Sequence, residues 1–208
     1  MPSITVVNAT ENNEVVRVAI YKKPVITPTL GTIAWRIVNP PPSGGQTVVN
    51  LPANYGVYAN YPTPGIDDPT DPSAGNRTAI LSFGEVTARF LVNSANTQDR
   101  QASAASISQV FTGLVLNEVR IENNFSTGIW THVTKDGDDV YAPQVLWPGG
   151  VRMEDIRASL YLAVVSQFVF KGARLVDEET SLSETEVLEG QTATVTGSMW
   201  KGYTISIA

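Results

Sequence analysis

The chain has 208 residues, no cysteine and one histidine, carries a formal charge of -6, and has only 16% charged side chains. The missing cysteines exclude disulfides, zinc-thiolate and iron-sulfur centres and thiol nucleophiles, and an acidic chain with scattered cations repels nucleic-acid phosphates and anionic lipid. One domain of this length removes roughly 70% of its unfolded surface from water, and a charged fraction well under the usual ~25% suits a protein that buries part of its surface against copies of itself.

Ile4 to Val7 and Val15 to Tyr21 are rich in β-branched residues and flank the polar NATENNE segment, which reads as a hairpin. Pro24 and Pro28 interrupt pairing before a third strand at Ile33 to Val38. The run NPPPSGG at 39 to 45 is a loop, because three successive prolines remove three backbone donors. Gln46 to Leu51 and Tyr55 to Tyr61 follow as strands, the second with Tyr55, Val57 and Ala59 on one face and Tyr58 on the other. Residues 62 to 76 hold four prolines and three aspartates and form a long surface loop, the one candidate sub-boundary in what otherwise reads as a single domain over 1 to 208.

Thr78 to Phe83 and Val86 to Val92 look like a second hairpin. Asn96 to Gly113 carries a capping Thr97, apolar spacing and a terminal glycine, which predicts a helix. Leu114 to Glu122 returns to strand. Gly128 to Lys135 and Val140 to Trp147 flank Asp136-Gly137-Asp138-Asp139, a strong hairpin signature. For 151 to 172, Met153, Ile156, Leu160, Val164 and Phe168 favour helix, against the β-rich YLAVVSQFVF that favours a buried strand. A final hairpin joins Gln191 to Val195 and Tyr203 to Ile207. The expected fold is therefore mainly β, an antiparallel sandwich or flattened barrel with one or two covering helices. Val7 to Val48 and Ile121 to Met153 share an order of signals, namely Asn, a strand ending in Lys, a second strand, then Pro and Gly-Gly. Duplication and the coincidence of two hairpins explain this equally well.

No stretch spells out a chemistry. His132 is the only imidazole and no serine has a nucleophile-elbow setting, so a hydrolytic triad has no anchor. Glu85, Glu118, Glu122 and Glu154 leave a carboxylate-based hydrolase open. Asp136, Asp138 and Asp139, and in the long loop Asp67, Asp68 and Asp71, are oxygen clusters that suit Ca²⁺ or simply solvated turns. Trp130, His132, Trp147 and Trp200 are the candidate interaction residues, with Trp147 and Trp200 in turns at the surface. Together these features point to a non-catalytic, homo-oligomeric structural or interaction protein that self-assembles through edge strands and uncharged surfaces. The alternative is a lectin-like carbohydrate-binding module, with or without calcium. No bilayer-length apolar run or secretory leader is recognisable, which fits a cytoplasmic protein or one exported without a cleaved leader.

Overall fold

In the computed structural model, residues 2–24, 26, 31–63, 67–68, 70–84, 87–95, 104–113, 117–156, 159–175 and 184–208 are described. Their strands fall into four consecutive groups. The first is β1 (Ser3–Asn8), β2 (Val18–Tyr21), β3 (Arg36–Val38) and β4 (Gln46–Asn50). The second is β5 (Tyr55–Tyr61), β6 (Asn76–Arg77), β7 (Leu81–Phe83), β8 (Thr87–Ser94) and β9 (Ala105–Gly113). The third is β10 (Glu118–Asn123), β11 (Ile129–Lys135), β12 (Asp138–Asp139), β13 (Gln144–Leu146) and β14 (Val151–Asp155). The fourth is β15 (Leu160–Val164), β16 (Thr185–Val187), β17 (Thr192–Ser198) and β18 (Gly202–Ile207). The fold is mainly β and sandwich-like, and the one helical turn among the described residues is the 3-10 segment Glu11–Asn13. No helix there is long and apolar enough to cross a membrane.

The backbone forms two compact units: Met1–Lys23, Gly31–Ala53 and Ala158–Ala208 make unit 1, and Pro24–Leu30 with Asn54–Arg157 make unit 2. Unit 1 contains sheets ordered β18-β17-β1-β4 and β16-β15-β2-β3. Unit 2 contains β9-β8-β10-β14 and a sheet in which β11 pairs β5, with β13 on the outer side of β11 and β7 on the outer side of β5. These orders are the same, except that unit 2 adds the short strands β12 beside β11 and β6 beside β5. Among the described residues the one parallel pair in each unit, β1 with β17 or β10 with β8, joins strands from different groups.

The agreement extends to single atoms. Asn8 and Asn123 each end a strand with alternating burial and are themselves fully buried. The Asn8 amide donates to Gly45 O and the Asn123 amide to Gly150 O, both at 2.9 Å, while Gly44 and Gly149 donate back to the two asparagine carbonyls. The Asn8 Nδ2 donates to the carbonyls of Glu14 and Pro40, and that of Asn123 to those of Thr127 and Leu146. Leu51 N donates to Pro2 O as Ile156 N does to Asn117 O, each at 2.7 Å. The two stretches with matching sequence signals are thus the same structural element, and the chain is two copies of one eight-stranded plan. Each unit is built from the first half of one copy and the second half of the other, since β1–β4 fold with β15–β18 and β10–β14 with β5–β9.

Replacing Asn123 by alanine removes two Nδ2 bonds, one buried and one part-buried, and the acceptor for the buried Phe125 amide. The expected cost is about 2 kcal/mol, because the orphaned backbone groups cannot reach water. It is measured as a lower midpoint of chemical denaturation.

Several local expectations change. The helix expected at Asn96 to Gly113 is in its described part the strand β9, paired antiparallel with β8; residues 96–103 lie outside the described residues. The helix favoured over 151 to 172 is two strands, β14 and β15, which belong to different units. Both covering helices are therefore absent among the described residues, and the strand reading of YLAVV holds because Leu160, Leu162, Ala163 and Val164 are buried on both sides. The first hairpin does not form, since β1 pairs β4 and β17 while β2 pairs β3 and β15. Nor does the pairing of 78–83 with 86–92, since β7 pairs β5 and β8 pairs β9 and β10. Two hairpins do form: β11 returns through Asp136-Gly137 to β12 and β13, and β17 pairs β18. Asp136 and Gly137 have φ of 54° and 78°, the left-handed pair that a two-residue hairpin turn requires.

Candidate functional site

Tyr58 on β5 stands directly opposite His132 on β11, and Arg77 on β6 lies on the other side of β5. Side chains on neighbouring strands at such positions are in contact. The Tyr58 and His132 rings stack with centroids 4.3 Å apart and planes within 5°, and the Arg77 guanidinium carbon lies 5.3 Å from the Tyr58 centroid. The row His132, Tyr58, Arg77 therefore crosses the sheet and lines a cleft of about 460 Å³ together with Asn60, Pro72, Ser73, Gly75, Asp139 and Pro143.

The hairpin positions Asp139. Pairing Thr134 with Asp139 brings that carboxylate to His132 Nδ1, 3.1 and 3.0 Å from its two oxygens. His132 Nε2 faces Pro72 O at 3.3 Å, and Asn60 Nδ2 donates to the same carbonyl at 2.7 Å. The second half of the long loop is thereby tied to the sheet. Gly75 makes this close approach possible: its φ is +86°, and a Cβ there would lie 2.3 Å from the Tyr61 carbonyl oxygen. Burial, and then the Asp139 carboxylate, push the Tyr58 hydroxyl up to about 12, so it remains a donor at neutral pH.

His132 is 4% exposed, Asn60 7%, and Tyr58 half-buried, while Arg77 is at the surface. Ser73 also lines the cleft, but its hydroxyl donates to Asp71 Oδ1 at 2.7 Å, and both His132 nitrogens face oxygen acceptors. Among the described residues no serine, histidine and aspartate are thus arranged as a nucleophile and its base.

The other sequence candidates fall as follows. Trp130 shares the His132 side of β11, opposite Asn60. Asp136 lies in the turn and Asp138 pairs Lys135, and neither joins Asp139 in a cation-holding group; among the described residues no three His, Asp or Glu side chains form one. Asp68 and Asp71 are exposed and accept hydrogen bonds from the hydroxyls and amides of Thr70 and Ser73, which hold both carboxyls low. Asp67 Oδ2 accepts from the Thr63 amide. Glu118 and Glu122 are on β10 and Glu154 on β14; Glu122 is held by Arg89 and Arg120, and Glu85 lies outside the described residues. Trp147, 65% exposed, lays its ring over Gly128 in a turn held by Asn123. Trp200 is 90% exposed, in the turn between β17 and β18.

Trp200 has apolar company. Glu14 Oε2 accepts from the Met199 amide and the Tyr203 hydroxyl, and Arg17 Nε donates to Val169 O. The turns carrying Met199 and Trp200 and the one carrying Phe168 and Phe170 are thus both fastened to Glu14–Arg17, a segment about 10 Å long when extended. Val15 in that segment, Phe168, Phe170, Met199 and Trp200 are all more than 60% exposed.

Sequence reasoning identified His132 and Asp139 but not Tyr58, Asn60 and Arg77 as their neighbours. The available signal was parity: Tyr58 and Asn60 interrupt, on alternate positions, an otherwise apolar strand. Comparison with protein-family models, with curated proteins and with solved structures finds no match to this chain.

Proposed function

We propose that this chain is a non-catalytic interaction protein that associates with further copies of itself through the apolar surface of unit 1. The observation that carries the reading is that Val15, Phe168, Phe170, Met199 and Trp200 are all exposed on segments fastened to Glu14–Arg17. Large exposed side chains are ordinary singly, but contiguous patches of several hundred Å² mark association sites. An aromatic residue covers 150–250 Å², so three aromatics with Met199 and Val15 give on the order of 600 Å² at the exposures observed. A standard interface takes about 800 Å² from each partner, so a second copy meeting this patch and its rim supplies the area needed. The adjoining β18 is an edge strand of its sheet, which gives such a contact a backbone component.

Sedimentation velocity over a concentration series tests this. The native chain is expected to form dimers or larger species, and Trp200→Ser with Phe168→Ser to weaken association at least about tenfold, the equivalent of 1.4 kcal/mol. A native chain that stays monomeric at high concentration overturns the reading.

A further inference from the structure

The duplicated plan provides an internal control for the cleft. Residues at equivalent places follow from the matched hydrogen bonds and from strand register, since Ala19 pairs Ala163 as His132 pairs Tyr58, and Val18 pairs Val38 as Thr131 pairs Gln144. On this basis His132 corresponds to Ala19, Tyr58 to Ala163, Asn60 to Val165 and Pro143 to Ile37, while Asp139 lies on β12, a strand with no counterpart among the described residues of unit 1. Every one of these unit 1 residues is apolar. Ala19, Ala163 and Val165 form a buried cluster with Tyr21, Ala34 and Val169, with Ile37, Ala173 and Leu175 packed against it. The same face of the same sheet is thus sealed by apolar chain in unit 1 and open and polar in unit 2. The plan is complete with alanine and valine there, so stability does not call for a histidine, a tyrosine and an asparagine at those positions.

We infer that the unit 2 cleft binds a neutral saccharide of one or two rings. Its volume of about 460 Å³ suits a ligand of that size. Its polar groups mix donors and acceptors: Arg77 and the Tyr58 hydroxyl donate, Asp139 accepts, the Asn60 amide offers either, and the Ser73 oxygen, its proton given to Asp71, accepts. Vicinal hydroxyls, each both donor and acceptor, match a mixed set of this kind. Asp139 opposes an anion such as phosphate and Arg77 opposes a cation, which leaves a neutral ligand as the best complement. Pro72 and Pro143 give the apolar surface against which the C–H face of a sugar ring rests. The flat faces of Tyr58 are occupied by His132 and Arg77, so recognition runs through hydrogen bonding at the edges of this row and not through stacking on the tyrosine.

Titration by saturation-transfer NMR and calorimetry with glucose, galactose, mannose, N-acetylglucosamine, lactose and maltose, with inorganic phosphate as the anionic probe, tests the inference on the full chain. At least one neutral sugar is expected to bind in the millimolar range or tighter, unaffected by a chelator. Arg77→Gln, at an exposed position, and Asn60→Val, which introduces the unit 1 residue, are each expected to weaken it about tenfold or more, with thermal melts confirming folded variants. Trp200→Ser with Phe168→Ser leaves sugar binding unchanged, so failure of self-association and failure of this site are read separately. Absence of binding to every sugar, binding that survives both cleft substitutions, or binding of phosphate alone overturns the inference.

Discussion

Above about pH 7, where Glu154 is ionised, Arg152→Ala is expected to destabilise unit 2 by about 3–5 kcal/mol, the range for removing one member of a buried ion pair. Arg152 is fully buried on β14, donating from Nη1 to Thr131 O at 2.7 Å and from Nη2 to Ala142 O at 3.0 Å, with Nε 3.5 Å from Glu154 Oε1. Alanine would remove the donors of two carbonyls and the cation beside a carboxylate that is itself fully buried. The pair is nonetheless dispensable to the plan. Register matches Arg152 to Thr47 and Glu154 to Val49 in unit 1, where the same strand folds with no charge at either position. Arg152→Met combined with Glu154→Val should accordingly recover most of the loss, since an apolar pair of similar volume replaces a buried ion pair at little or no cost. Urea denaturation of Arg152→Ala and the double variant measures this; a double variant as unstable as Arg152→Ala would show that the charges themselves are required.

The second large effect is on pH dependence. Neither Glu154 carboxylate oxygen has a hydrogen-bond partner, and the 3.5 Å approach of Arg152 is too long to supply one. Burial, only partly offset by Arg152, raises the Glu154 carboxyl from 4.5 to about 7. In the folded protein the acid therefore keeps a proton that it loses on unfolding. Between pH 4.5 and 7 the folded state binds more protons than the unfolded one, so stability falls as pH rises. The contribution of Glu154 is fully present below about pH 4.5 and lost by about pH 7, a change of about 3 kcal/mol at 1.36 kcal/mol per unit. Glu154→Gln, neutral throughout, should flatten the stability profile over that window. A profile with the same slope in native and variant proteins would place the titration elsewhere.

What the sequence revealed depended on how local the determinant was. The Asp136-Gly137 turn was legible because two residues set it, and the β17–β18 hairpin because its strands are neighbours. The β15 segment was read towards helix because a strand buried on both faces loses its alternation, and because Met153, Ile156 and Leu160 keep helical spacing across what are two strands of different units. The failed first hairpin has the same origin. The partners of β1 and β2 include β17 and β15, near the other end of the chain, and no local pattern encodes them. His132 was found as the only histidine, and the loop 62–76 was marked by its composition. The cleft between them was not legible, because it rests on cross-strand register placing Tyr58 and Arg77 beside His132.

The exchange of halves also sets an order of assembly during synthesis. The Asn54–Arg157 stretch of unit 2 is one continuous run, complete before β15 has been made, whereas unit 1 joins chain from before and after it. As the chain leaves the ribosome, β1–β4 emerge first and must wait, with the β1 edge that later receives β17 still unpaired, while β5 to β14 close on one another. Domains generally fold in the order in which they are synthesised. In this chain that order is reversed: β1 and β2 have β4 and β3 beside them early, but their second neighbours, β17 and β15, arrive last.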